Sequence, residues 1–210
     1  MKTKIAILTI AAALLSGCAY QAIPDVNPAV SVYQSYGDKV PGRFALYVNA
    51  DEMEDTIKPS GYACSSHSYP VDARSQFVTS AQQTLENILE EVEFVDAPLD
   101  RTVLTSDNYD GMVVVEVDSF EVELRAIPGF WTYDLDAESE VIIKVFIDDS
   151  DGRLFGATVE GDADDTREGG LFCDGGSEAV GESVNAAMKE GLRNMAERLA
   201  NSTRLRTEAE

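Results

Sequence analysis

The stretch from residue 112 to residue 161 constrains the fold most, because apolar and polar residues alternate along it with a period of two. Such alternation is typical of β-strands with one buried face. The rhythm shifts by one place near Ser119, which predicts a β-bulge there. Residues 148–152 have the Asp and Gly content of a hairpin turn. Three strands are therefore predicted, over Met112–Leu124, Ser139–Ile147 and Arg153–Gly161.

Two amphipathic helices flank these strands. In the first, apolar residues recur at steps of three and four between Phe77 and Val92, after Pro70 as a start signal. In the second, a similar stripe runs along residues 178–200, and we expect Ser177 to cap that helix. Each stripe is only one face wide, so both helices should lie against a single face of the sheet.

Short strands at 44–48 and 94–96 complete the predicted element order, β-α-(β)-β-β-β-α. We therefore predict an α+β domain over residues 43–200, with one antiparallel sheet of about four to five strands and two long helices packed on one face. The polar segment 51–69 and the acidic, Gly-rich segment after residue 161 are predicted to be loops.

The N-terminus carries a targeting signal. Lys2 and Lys4 are followed by the uncharged run Ile5–Leu15. At about 1.5 Å per residue this run is far shorter than the ~30 Å hydrocarbon core of a bilayer, but it suits the apolar region of a signal peptide. Residues 1–17 are therefore predicted to be removed on export.

The residues at the end of this signal, Leu15-Ser16-Gly17-Cys18, resemble the lipobox of bacterial lipoproteins. The resemblance implies that the Cys18 thiol receives a diacylglyceryl group and that cleavage leaves Cys18 as the acylated N-terminus. It also implies an outer-membrane location facing the periplasm, because Ala19 stands where an inner-membrane lipoprotein has Asp. An ordinary secretory signal with a chance cysteine is the alternative.

Residues 18–42 contain three prolines and little periodicity, which predicts a tether between the lipid and the domain. Residues 201–210 are predicted to form a polar C-terminal tail. The lipobox and the element order together resemble the small α+β lipoproteins of Gram-negative envelopes, which include YajG-like and LpoB-like proteins. That resemblance implies a non-catalytic accessory role. The membrane would be one partner, through the lipid on Cys18, and an envelope protein would be another.

The charge of the chain excludes one class of partner. There are 38 Asp and Glu residues against 16 Lys and Arg, which gives a net charge of −22, and loss of the two signal lysines makes the mature chain more acidic still. Such a chain lacks the basic surface that DNA or RNA binding requires. It is also repelled by anionic headgroups, so its charge does not favour a membrane-surface role beyond the lipid.

Two cysteines remain after lipidation. Cys64 and Cys173 form an even pair, each in a turn-rich segment ahead of a predicted helix, and export places them in an oxidising compartment. A Cys64–Cys173 disulfide is therefore predicted, worth up to about 4.7 kcal/mol for a loop of about 100 residues in the chain-entropy model. Two separate thiols, or a metal pair with His67, are the alternatives.

The search for catalytic and metal motifs is mostly negative. His67 is the only histidine, and its serine neighbours lie beside it along one loop, which is not a triad arrangement. The Asp residues before Gly152 lack the spacing of a calcium loop. The acidic segment 162–168 has the charge for a weak cation site, against the alternative of a solvated loop. No metal, cofactor or catalytic residue is predicted.

An aromatic turn is the remaining anomaly. Phe130, Trp131 and Tyr133 cluster in the predicted turn 126–136, where residues are normally polar. Two interpretations are open. Either the turn folds back onto the sheet or a helix end, or it is an exposed surface for a protein partner or for the nearby membrane.

The leading functional hypothesis is a lipid-anchored accessory or assembly factor of the cell envelope, which acts by binding. Two hypotheses from other classes stay open. A cavity lined by Phe77, Met188 and Met195 would indicate a carrier for a small hydrophobic ligand. Two close, partly buried carboxylates in a cleft would indicate a hydrolase.

Overall fold

The fold combines a five-stranded sheet, a separate two-stranded sheet and helices on both sides of the larger sheet. A computed structural model describes residues 19–29 and 31–207, so the predicted signal peptide and Cys18 lie outside the described residues. The strands are β1 (Val40–Asn49), β2 (Glu54–Ile57), β3 (Tyr69–Asp72), β4 (Leu89–Phe94), β5 (Gly111–Pro128), β6 (Tyr133–Asp148) and β7 (Arg153–Glu168). The helices are α1 (Arg74–Ile88), α2 (Arg101–Ser106), α3 (Gly175–Ala200) and α4 (Thr203–Thr207).

The larger sheet is mixed, with strand order β4-β1-β5-β6-β7. The predicted α+β class is confirmed, but the predicted all-antiparallel sheet is wrong, because β1 runs parallel to both β4 and β5. Helix α1 carries the chain back along the sheet between β1 and β4, and such a crossover makes the two strands parallel. Strands β5, β6 and β7 are antiparallel neighbours, as predicted.

The core lies between one face of this sheet and the two long helices. Side chains from α1 and α3 join inward residues of all three long strands in one buried cluster, including Phe77, Val115, Ile143 and Met188. The short helix α2 covers the opposite face, where a smaller cluster contains Ala45, Leu104, Met112 and Val114. The alternation predicts strands with one buried face. In the structure, the sheet is covered on both faces near β1.

Strand β5 contains the predicted bulge, because its register with β6 shifts between Val117 and Ser119. Both β5 and β6 extend further than predicted and leave only residues 129–132 outside the hairpin. Helix α1 ends at Ile88 and the chain passes directly into β4, so the predicted helical position Val92 lies in a strand.

Strand β7 runs to Glu168, through the segment predicted to be an acidic loop. The residues at the inward positions of β7 are small because α3 packs closely against them. A Cβ atom at Gly161 would lie 2.2 Å from the carbonyl oxygen of Ala187, which only glycine avoids. Small inward residues such as Gly161 and Ala163 remove the apolar rhythm that would mark the strand. The acidic side chains occupy the outward face.

Three other segments differ from the prediction. Part of the predicted loop 51–69 forms β2, which pairs with β3 in the two-stranded sheet. Residues 101–106 form α2, whose N-cap Asp100 accepts hydrogen bonds from the backbone of Thr102 and Val103. Helix α3 begins at Gly175 with Asp174 as its N-cap residue, so Ser177, the predicted cap, lies inside the first turn.

Both predicted terminal extensions pack against the domain. The backbone N–H groups of Asn27 and Ala29 donate to the hydroxyls of Ser80 and Thr84 on α1. At the other terminus, Leu205 of α4 is buried, so the predicted polar tail begins with a packed helical turn.

Candidate functional site

A disulfide joins two loops at one end of the sheet. The structure links Cys64 to Cys173, the pairing that the sequence predicts, with 5.8 Å between their Cα atoms. That separation lies within the range a disulfide requires. Both cysteines have left-handed backbone conformations, with φ of 58° and 64°. The bridge therefore ties two tight turns together, ahead of β3 and ahead of α3.

The buried Tyr69 supports these turns. Its hydroxyl donates a 2.6 Å hydrogen bond to the carbonyl oxygen of Cys173. Burial, with smaller contributions from Tyr133, Tyr20 and Asp174, raises the pKa of Tyr69 to about 12. The neutral phenol is therefore the stable form throughout the neutral range.

The only histidine belongs to the same region. The ring of Tyr20 stacks between His67 and Tyr69, with centroid distances of 5.9 and 6.3 Å. The nearest serine contact of His67 is its chain neighbour Ser66, whose hydroxyl lies 3.4 Å from Nδ1. This arrangement gives His67 a packing role and does not resemble a catalytic triad.

The β5–β6 turn projects from the sheet. It is closed by a 2.8 Å hydrogen bond from the N–H of Gly129 to the carbonyl of Thr132. The side chains of Phe130 and Trp131 are 88% and 89% exposed, and their rings meet edge to face at 4.8 Å. Of the two interpretations of this turn, the structure supports an exposed surface.

Tyr133 is separate from that surface, although it was predicted to share it. Its hydroxyl donates to the carbonyl oxygen of Gly170 at 2.9 Å and lies 3.3 Å from the sulfur of Cys173. A Cβ atom at Gly169 would lie 2.0 Å from the Tyr133 ring, which shows how closely this loop passes over it. Tyr133 thus holds the 169–173 loop beside the hairpin.

Backbone contacts bring a third loop to the same place. The N–H of Ser60 donates to the carbonyl of Leu124 at 2.8 Å, and the N–H of Ala126 donates to the carbonyl of Ser60 at 3.1 Å. Exposed apolar side chains from the three loops therefore share one end of the molecule. We call this set the apolar end: Tyr62, Ile127, Phe130, Trp131, Leu171 and Phe172.

Half of the apolar end was missed from the sequence. Tyr62, Leu171 and Phe172 lie in polar, turn-rich segments without helical or strand periodicity. Each is within two residues of a disulfide cysteine, so the predicted Cys64–Cys173 pairing is the signal that could have joined them. The missing information was that Tyr133 and Ser60 bring the same loops to the aromatic hairpin.

The outward face of β5–β7 is acidic. Glu121, Glu140 and Asp162 lie directly opposite one another across three strands, and a parallel row follows two residues further along. Partial burial, followed by repulsion from neighbouring carboxylates such as Glu160, raises the pKa of Glu140. The first three of these carboxylates line a hollow of about 240 Å³ on the sheet face, together with Arg125. Within the described part of the chain no group of three His, Cys, Asp or Glu side chains could hold a metal ion.

The cavity predicted for a hydrophobic-ligand carrier is filled by core packing. Phe77, Met188 and Met195 are completely buried members of the main cluster. The concave regions found on the surface have mixed linings, such as a hollow of about 400 Å³ between the N-terminal segment and the start of α3, where Arg167, Glu178 and Asn185 meet.

Among the described residues, no helix has the length and apolar content to cross a membrane.

Comparisons with known proteins do not assign the chain to a family. No family model matches the chain, and no curated protein matches it. Solved structures do match it. Two of them resemble it distantly, and with TM-scores below 0.5 they carry no inference about this chain.

The first is protein XCC0632 from Xanthomonas campestris, assigned to the family model DUF330, at 12% identity over 87% of this chain and 92% of that chain, with a TM-score of 0.44. The second is the hypothetical protein CT253 from Chlamydia trachomatis, at 10% identity over 76% of this chain and 98% of that chain, with a TM-score of 0.34.

Proposed function

We propose that this chain is a lipid-anchored protein of the bacterial outer membrane and a non-catalytic accessory factor for an envelope protein partner. The lipobox-like sequence ending at Cys18 supports the lipid, and Ala19 after it supports the outer membrane. A durable anchor needs two or more acyl chains, because a single chain binds a bilayer only reversibly. The domain would face the periplasm, where the Cys64–Cys173 disulfide is stable.

The observation that carries the proposal is the attachment of the chain directly after Cys18. Ala19 forms a parallel bridge with Ser68, and the N–H of Tyr20 donates to the carbonyl of Ser68 at 3.0 Å. The N–H of Ala22 donates to the carbonyl of Pro70 at the same distance. The described chain is thus attached to the domain from Ala19 onward, so a lipid on Cys18 would hold the domain close to the membrane.

The packing of His67 supports binding over catalysis. This histidine stacks on Tyr20, and its serine contact is its chain neighbour Ser66, which is not the geometry of a nucleophile and base pair. An oriented, lipid-held domain with a large exposed surface suits an accessory factor that displays a surface to another envelope protein.

Substitution of the lipidation site tests the anchor. Cys18→Ser should release the protein from membranes or leave the uncleaved precursor, because the thiol that carries the diacylglyceryl group is gone. Ala19→Ser is the matched control, since it changes the next residue but keeps the thiol, and it should remain in the outer-membrane fraction. Normally processed, membrane-bound Cys18→Ser protein would contradict the proposal.

Crosslinking in intact cells tests the partner. The anchored protein should capture a reproducible envelope protein, and capture should fall when Cys18→Ser removes the anchor. Equal capture by the released protein would contradict a role that depends on orientation at the membrane.

A further inference from the structure

We infer that the apolar end contacts the phospholipid bilayer that holds the lipid of Cys18, so that the protein is attached to its membrane at two points. The inference rests on the proposed lipidation of Cys18. The proposed binding partner of the apolar end is the surface of the bilayer. The first support is the position of Ala19, the first described residue.

Ala19, the first described residue, lies beside the disulfide-linked loops. The segment 19–22 runs parallel to 68–71, and its first residue pairs with Ser68, next to the Cys64–His67 turn. That turn is linked to the second loop by the disulfide and by the hydrogen bond from Tyr69 to the carbonyl of Cys173. Acyl chains on residue 18 would therefore enter a bilayer at the end of the molecule that carries the apolar end.

The side chains of the apolar end suit the membrane interface. Tyr62 and Leu171 are almost fully exposed, like Phe130 and Trp131. Trp and Tyr are enriched where a bilayer meets water, because they combine an apolar ring with a polar group, and Phe and Leu favour the acyl boundary. Exposed apolar residues gathered at one end of a molecule are of the kind that marks an interaction site.

Charge around the apolar end argues for apolar contact over attraction to anionic headgroups. Arg125 pairs with Glu138 and Arg167 pairs with Asp165, so the nearby guanidinium groups are already neutralised. The protein as a whole is strongly acidic. Contact should therefore not be strengthened by anionic lipid, which separates it from binding by a basic surface.

The position of Ala19 favours a bilayer over a protein at this end. Ala19 pairs with Ser68, which adjoins the Cys64–His67 turn, so a lipid on Cys18 would keep the disulfide-linked loops near the membrane. A protein seated on Phe130 and Trp131 would have to fit between the domain and the bilayer. A protein partner or a second copy of the chain at this place is an outcome of the test below.

Trp131 is the only tryptophan, so it reports on its own surroundings. The processed lipoprotein is reconstituted into phosphatidylcholine vesicles whose acyl chains are brominated near the headgroup, because bromine quenches only tryptophan within contact range. We expect loss of most of the Trp131 emission and a blue shift of the remainder. Added anionic lipid should not increase the quenching.

A moved tryptophan provides the matched control. Trp131→Phe combined with Tyr33→Trp places the reporter at another exposed aromatic position, where the backbone of residue 33 accepts and donates hydrogen bonds near the C-terminal end of α3. That position lies roughly 30 Å along α3 from the disulfide, at ~1.5 Å per residue. Its emission should stay unquenched. Leu171→Ser with Phe172→Ser, which keeps Trp131, should reduce the quenching.

Mass spectrometry of the N-terminal peptide of the same sample tests for the lipid on Cys18. Protein without lipid on Cys18 would overturn both proposals, whereas lipidated protein with unquenched Trp131 would overturn only this inference. If unquenched Trp131 is accompanied by loss of in-cell crosslinking in Trp131→Ala, the apolar end binds a protein partner instead. Self-association of the vesicle-bound protein that protects Trp131 from both bromine and water would instead indicate a second copy.

Discussion

The two hairpin turns of the main sheet have the same closing hydrogen bond and opposite chemistry. In the β6–β7 turn, the N–H of Asp149 donates to the carbonyl of Gly152 at 2.9 Å, much as Gly129 bonds Thr132 in the β5–β6 turn. The carboxylate of Asp149 also accepts from the N–H groups of Asp151 and Gly152. In the β5–β6 turn, large aromatic side chains project into solvent.

The difference shows which of the two turns has side chains that folding alone explains. Asp and Gly satisfy the backbone of a tight turn, so the β6–β7 turn has the side chains that its geometry asks for. The fold gains little from exposed Phe130 and Trp131, because they bury little area within the domain. The proposed contact with a membrane would account for their presence on the surface.

Removal of the disulfide, which supports the end that carries the aromatic turn, should have the largest effect on stability. Cys64→Ser with Cys173→Ser opens a loop whose ends are 109 residues apart, and should lower the free energy of unfolding by about 2–5 kcal/mol. Denaturant titration without reductant measures it. Wild-type protein in reductant should unfold at the same denaturant concentration as the variant. Equal stability of the oxidised wild type and the variant would contradict a stabilising role for the Cys64–Cys173 disulfide.

Tyr69→Phe should have the next largest effect. It leaves the carbonyl of Cys173 without its buried donor, at a cost of about 1–3 kcal/mol. The raised pKa also sets a pH dependence. The stabilisation by Tyr69 is fully present below its ordinary pKa of 10.0 and is lost as the pH rises toward about 12, because unfolding then releases a proton.

Stability measured across that alkaline range tests the second part of this prediction. Wild-type protein should lose stability between pH 10.0 and about 12 more steeply than Tyr69→Phe. Other tyrosines contribute equally to both proteins, so the difference between the two curves isolates Tyr69. Parallel curves would contradict the buried phenol.

Asp149→Ala tests the polar turn. The substitution removes an acceptor for two backbone N–H groups at 2.7 and 2.6 Å. A loss of about 0.5–1.5 kcal/mol in the free energy of unfolding is expected, because water replaces part of each bond. Its membrane fractionation should not change, because this turn lies at the other end of β6 from the apolar end.

Trp131→Ala should have the smallest effect on folding. An exposed side chain outside the core contributes less than about 0.5 kcal/mol to stability, whereas a core tryptophan would cost about 3–5 kcal/mol. Thermal melting distinguishes these values directly. A large fall in melting temperature would mean that the two turns do not differ as described.

Prediction from the sequence succeeds for elements in which the apolar periodicity extends over many residues. The strands β5 and β6, the bulge before Ser119 and the stripe of α3 follow from residue pattern alone, because each has one broad buried face. It fails where close packing replaces apolar side chains. The C-terminal half of β7 is hidden because Gly161 and Ala163 face α3, and glycine and alanine carry no strand signal.

The candidate site is predictable only in part for a different reason. The aromatic turn and the cysteine pair are local features and are visible in the sequence. Their common location depends on hydrogen bonds between distant segments, such as Ser60 with Leu124 and Tyr133 with Gly170. The same holds for residues 19–22, which belong to the Pro-containing segment predicted to be a tether but whose backbone pairs with 68–71.

Mass analysis of the N-terminal peptide from membrane-purified protein tests the central claim most directly, because the proposed membrane contact depends on a lipid on Cys18. The account predicts a mature chain that begins at Cys18, with the mass of a diacylglyceryl group on the thiol and an acyl group on the amine. An unmodified Cys18, or a mature chain that begins at another residue, would contradict it.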